Sequence, residues 1–125
     1  MDFKYFSKNG ELLPAERAVV PLASIEYAYG FGVYETVRVS GGTAYFLQNH
    51  AERLLESAKI IGLEHSFRRE DVENFAKNLI AATEAEAFNV KMLLLGAPRK
   101  EDATLCVLCL NPLFPDKKIY KEGVD

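Results

Sequence analysis

The chain has 125 residues, enough for one domain with a single hydrophobic core. Hydrophobic residues make up 49% of it and charged residues 26%, the composition of a soluble globular domain rather than a disordered segment. A net charge of −3, with Arg68, Arg69, Arg99 and Lys100 scattered among acids, argues against nucleic acid as a partner, and no apolar run approaches the roughly 20 residues of a membrane span.

The N-terminal Met1-Asp2-Phe3-Lys4-Tyr5 has no signal-peptide pattern, which points to a cytoplasmic protein. Lys8-Asn9-Gly10 then separates two apolar stretches, and an Asn-Gly pair in that setting predicts a tight hairpin ended by Pro14. Residues 19 to 22 form a short apolar piece broken by Pro21, and residues 27 to 32 are rich in aromatics and glycine. Residues 33 to 40 read as a strand because β-branched and aromatic side chains run through them. Gly41-Gly42 predicts a second tight turn, with residues 43 to 47 as the returning strand.

A helix follows, with Asn49 as its expected cap and Glu52 closing a capping box. Ala51, Leu54, Leu55, Ala58 and Ile61 form its apolar stripe, and Gly62 suits the left-handed position after its end. Residues 69 to 85 predict a second helix with Val72, Phe75, Ala76, Leu79, Ala82 and Thr83 on one side. Residues 90 to 95 and 104 to 110 read as buried strands joined by a polar loop, and Pro112 and Pro115 punctuate an extended tail. Strands grouped around two consecutive helices predict an α+β two-layer sandwich. Its sheet should be mostly antiparallel, of five or six strands, with both helices on one face.

Cys106 and Cys109 sit three apart in an apolar strand, on opposite faces, which favours two buried thiols over a redox or zinc pair and suits a reducing compartment. In the strand from 33 to 40, alternation puts Val33, Glu35, Val37 and Val39 on one face and Tyr34, Thr36 and Arg38 on the other. A phenol and a guanidinium on one face can hydrogen-bond an anion, or simply line a half-solvated surface. Glu35 stands among valines and therefore needs a partner. Arg53, near the helix start, falls away from the apolar stripe and can add to an anion site there. His50 reads as a helix-start hydrogen-bonding residue and His65 as a loop residue, and two histidines do not make a metal site.

Several ordered pieces together carry a resemblance. Tyr29-Gly30-Phe31-Gly32-Val33-Tyr34-Glu35, then Gly41-Gly42, then Leu47, then His50-Ala51-Glu52-Arg53-Leu54 and Ser57-Ala58 resemble the class IV aminotransferases, the fold-type IV pyridoxal-phosphate enzymes. That family comprises branched-chain aminotransferases, D-amino-acid aminotransferases and 4-amino-4-deoxychorismate lyases. Phe31 departs from the acidic residue often found between the two glycines, and Ser24-Ile25-Glu26-Tyr27 departs upstream, so the subfamily stays open.

The resemblance implies that Arg53 binds the phosphate of pyridoxal 5'-phosphate, that Tyr34 faces the substrate pocket, and that Arg38 and Arg99 contact substrate carboxylate. It expects Tyr34 and Arg53 on the same side of the sheet. It further implies an amino acid and a 2-oxo acid as substrates, a homodimer, and a second domain carrying the Schiff-base lysine. Lys117, Lys118 and Lys121 precede Gly123, so none takes the position of that lysine, and the chain alone is expected to be inactive. Two alternatives stand beside the aminotransferase: an aminodeoxychorismate lyase, and a non-catalytic module that assembles through exposed apolar surface.

Overall fold

A computed structural model of the chain describes residues 3–19 and 31–112. The stretches from 20 to 30 and 113 to 125 lie outside the described residues. With them go the expectations for the Pro21 segment, for Tyr29 and Gly30, and for the proline-punctuated tail.

Two short turns behave as their residues dictate. Strands β1 (Tyr5–Lys8) and β2 (Glu11–Pro14) pair antiparallel around Asn9 and Gly10. Both turn residues have positive φ, 50° and 89°, as a two-residue hairpin matching strand twist requires. Asn9 also fastens this hairpin to the sheet: its N–H donates to the Leu105 carbonyl and its Oδ1 accepts from the Leu105 N–H. Strand β3 (Gly32–Ser40) turns through Gly41 and Gly42 into β4 (Thr43–Ala44).

The returning strand is shorter than expected, because Phe46 adopts the left-handed conformation (φ 57°) and redirects the chain into helix α1 (Leu47–Ile60). Asn49 is therefore inside the helix and does not cap it. The first turn is closed by the His50 N–H on the Phe46 carbonyl, and Glu52 reaches Gln48 and Arg69 instead of back to a cap. At the other end Gly62 takes φ 75° as expected, while Ile61 at the edge of the stripe is exposed.

Helix α2 (Arg69–Ala81) begins with Asp71 Oδ2 accepting from the Arg68 N–H at 2.9 Å. It ends four residues earlier than its apolar pattern suggests, where the Thr83 hydroxyl donates to the Leu79 carbonyl and occupies one of the last acceptors. Strand β5 (Ala87–Leu95) starts earlier than read and pairs along its whole length with β3. Strand β6 (Thr104–Leu110) pairs with β5 and with β1. The six-stranded sheet runs β2-β1-β6-β5-β3-β4 with every neighbour antiparallel.

Both helices cover one face of the sheet. Val37, Val39, Val90, Met92, Leu94, Leu105 and Val107 meet Ala51, Leu54 and Ala58 of α1 and Val72, Ala76 and Leu79 of α2, all fully buried. This is the α+β sandwich that the order of elements predicts. The two cysteines are free and half-buried rather than fully buried, and burial raises the pKa of both, which disfavours the reactive thiolate.

Candidate anion site at the open edge of the sheet

Strand β3 lies between β5 and β4, but β4 pairs only with Val39 and Ser40. Among the described residues, the first half of β3 therefore has a strand on one side alone. Helix α1 crosses the inner face of this half, and alternation turns Glu35 toward it, along the same row as Val37 and Val39. Here the core gives way to a polar cluster.

His50 and Arg53 are three apart on α1, hence neighbours on its surface, and both reach Glu35. His50 Nδ1 lies 2.7 Å from Glu35 Oε1, and Arg53 Nε and Nη2 donate to the same oxygen at 2.9 and 2.7 Å. The Glu35 side chain is only 12% exposed and that of His50 19%, whereas that of Arg53 is 65% exposed. The partner that Glu35 needed is thus supplied twice over.

The electrostatics follow from this layout. Burial is the largest single influence on Glu35 and works against its ionisation, but the hydrogen bonds and charges of Arg53 and His50 together outweigh it. Its pKa falls below the ordinary 4.5. Glu35 in turn holds Arg53 still more firmly protonated. An ionised carboxylate is acceptor-only, so the proton between His50 and Glu35 must sit on Nδ1. The 3.3 Å approach of Arg53 Nη2 to His50 Nδ1 is then a contact between two donors, not a bond.

Arg53 is where an anion could be held. Its Nε–Nη2 edge faces Glu35, which leaves the end of the guanidinium, Nη1 with the second hydrogen of Nη2, as a planar fork on a largely exposed side chain. A phosphate fits that fork. The helix terminus contributes less than the sequence suggests, because α1 begins at Leu47 and Arg53 lies in its second turn.

The other candidate residues are not gathered here. Tyr34 is 61% exposed on the outer face, opposite Arg53, with the Lys91 ammonium 4.5 Å from its ring centroid. The expectation that Tyr34 and Arg53 share a side of the sheet is wrong. Adjacent strand residues must diverge, and Arg53 comes from the helix on the Glu35 side. The two can meet one ligand only around the open edge of β3.

Arg38 is exposed on the Tyr34 face, four residues further along the strand. Arg99 lies in the β5–β6 loop, at the Gly32 end of β3, with its Nε and Nη2 engaged by Glu101 at 3.2 and 2.9 Å. His65 accepts the Phe67 N–H on Nδ1, and burial with nearby Lys100 lowers its pKa. Glu35 and His50 are the members of the cluster that sequence reasoning did not place among the candidate site residues. The signal was present in a carboxylate on a valine face and in two basic side chains three apart.

The sequence profile of the family described as amino-transferase class IV matches residues 32–123. The D-alanine aminotransferase of Bacillus licheniformis is 33% identical over 118 residues, covering 91% of this chain and 42% of that protein. Among solved structures, the branched-chain aminotransferase of Thermoproteus uzoniensis, determined with norvaline, superposes with a TM-score of 0.75 at 25% identity, over 88% of this chain and 41% of that one. The branched-chain aminotransferase of Thermobaculum terrenum in its PLP form shares the fold, with a TM-score of 0.77 at 19% identity, over 90% of this chain and 41% of that one.

The six-stranded α+β sandwich is the fold that these solved structures share. The chain belongs to the class IV aminotransferase family. It spans less than half the length of the relatives just described.

Proposed function

We propose that this chain is the portion of a pyridoxal-phosphate-dependent aminotransferase that holds the cofactor phosphate through Arg53 and offers Tyr34 to the substrate. The supporting observation is the end fork of Arg53, which finds no partner among the described residues and lies at the edge of β3 without a neighbouring strand, while Glu35 occupies its other edge. When bound, the cofactor supplies the electron-withdrawing ring that lets an amino group pass between an amino acid and a 2-oxo acid. The chain's own part is binding and orientation. Arg53 neutralises phosphate charge, Glu35, itself held by His50, braces Arg53, and Tyr34 presents a phenol on the other side of the edge.

The Schiff-base lysine and the group facing the pyridine nitrogen belong, in this reading, to sequence beyond these residues, in a second domain of a cytoplasmic homodimer. The chain by itself does not transaminate. Arg38 and Arg99 serve as substrate-carboxylate contacts only if the assembled protein brings them to the same edge.

The reading is tested by comparing pyridoxal 5'-phosphate with pyridoxal as ligands of the chain. The phosphorylated form should bind more tightly, Arg53→Ala should erase the difference, and borohydride should trap no cofactor on a specific lysine. Equal binding of the two forms would remove the phosphate role of Arg53. Specific trapping would overturn the predicted inactivity.

A further inference from the structure

We propose that Glu35 is a positioning residue for Arg53: it pins one edge of the guanidinium so that the opposite fork is preset for an oxyanion. The inference rests on the reading of Arg53 as a phosphate contact and adds how that contact is prepared. An arginine has five N–H donors in a rigid plane. Glu35 takes one from Nε and one from Nη2 through a single oxygen, Oε1. Fixing those two fixes the plane, and with it the direction of the three that remain.

Glu35 can do this because it is itself immobile. Its side chain is 12% exposed, it stands on a central stretch of β3 beside fully buried Val37, and the His50 Nδ1–H holds the same oxygen at 2.7 Å. Arg53, by contrast, is a long side chain with 65% of its surface in solvent. Without Glu35 it would sample many rotamers, and an anion would have to order it on binding. With Glu35 in place His50 offers Arg53 no acceptor, since its Nδ1 is then a donor facing a donor, and Glu35 alone anchors the guanidinium.

Glu35 also has an opposite effect available to it. A carboxylate next to the guanidinium cancels part of the charge that attracts an anion. As a mere countercharge, Glu35 would weaken phosphate binding, and its removal would strengthen it. As a positioning residue it strengthens binding, and its removal weakens it. The sign of one measurement separates the two.

The experiment titrates the chain with inorganic phosphate at constant ionic strength and follows the backbone amide shifts of α1. It is run on the wild type, Glu35→Gln, Glu35→Asp and Arg53→Ala. Rotation of the Arg53 guanidinium about Nε–Cζ is measured by NMR in the first three.

The positioning role expects Glu35→Gln to weaken phosphate binding roughly threefold to tenfold, the cost of ordering one long side chain. Glu35→Asp keeps the charge but draws the carboxylate back. It should weaken binding in the same direction, and it keeps the test decisive if the Gln variant misfolds. Guanidinium rotation should quicken in both. Tighter or unchanged binding in Glu35→Gln, or unchanged binding in Glu35→Asp, would overturn the inference and leave the role of Arg53 standing. Phosphate binding that survives Arg53→Ala, or a wild type with no saturable response, would instead remove the underlying reading and the inference with it.

Discussion

Glu35→Gln should destabilise the chain near neutral pH, and the penalty should vanish in acid. The substitution keeps the size of the side chain and one acceptor but removes the negative charge that gathers Arg53 and His50. Hydrogen bonds to a charged group contribute about 1.5–3 kcal/mol when well shielded. Here His50 is well shielded but Arg53 is largely in solvent, and exposed pairs contribute only about 0.2–1 kcal/mol. A loss of about 1 kcal/mol at neutral pH is the expected balance, or a shift of about 0.5 M in a urea midpoint. The folded pKa of Glu35 lies below its ordinary 4.5, so the folded state prefers the ionised form. Its stabilisation is complete above the unfolded value and is lost as pH falls through the lower, folded one. Urea titrations of both proteins at steps from neutrality to about pH 3 should therefore show a gap that closes only in the acid limb. A gap that persists unchanged into acid would refute the argument, as would a Glu35 carboxyl found by NMR to titrate at or above 4.5.

Leu54→Ala removes a fully buried side chain between α1 and the sheet and should cost about 2–5 kcal/mol by urea unfolding; a much smaller loss would mean that the helix does not pack there. Gly10→Ala combines an unfavourable φ of 89° with a Cβ only 2.6 Å from Phe75 Cε1. It should destabilise by at least about 1 kcal/mol. Ser7 is 1% exposed, and its Oγ finds no hydrogen-bond partner among the described residues. Ser7→Ala should then be neutral or stabilising by up to about 1 kcal/mol, and a clear destabilisation would reveal an unseen partner. Cys106 and Cys109, both with raised pKa, should react with a disulfide reagent far more slowly in the native chain than in urea, which timed absorbance measurements would check.

What the sequence displayed clearly was local. Asn9-Gly10 and Gly41-Gly42 fix their turns with two residues each, and the stripe Ala51, Leu54, Ala58 marks the buried side of α1 without reference to anything else. The start of α1 was not legible in the same way. It is set by Phe46 turning left-handed while the neighbouring Tyr45 N–H bonds the Arg38 carbonyl across the turn, so a strand partner decides where the helix begins. The Asn49 signal lost to that tertiary tie. Helix α2 likewise ended where the Thr83 hydroxyl donates to the Leu79 carbonyl, a choice that helical periodicity does not reveal.

The site divides along the same line. Alternation along β3 already separates Tyr34 from Glu35, and any helix laid on the valine face must deliver its basic side chains to Glu35. Placing Arg53 beside Tyr34 contradicted that rule, and the backbone enforces it. Glu35 lies 2.7 Å from the guanidinium of Arg53, while Tyr34 turns outward to Lys91. A ligand that touches both residues must therefore sit across the unpaired margin of β3, one part on each face, where β4 stops at its second residue. Among the described residues, the brevity of that edge strand is what leaves the margin without a partner. A β4 extended by five residues toward the Gly32 end would pair the backbone of β3 at Tyr34 and separate the two side chains by a closed sheet.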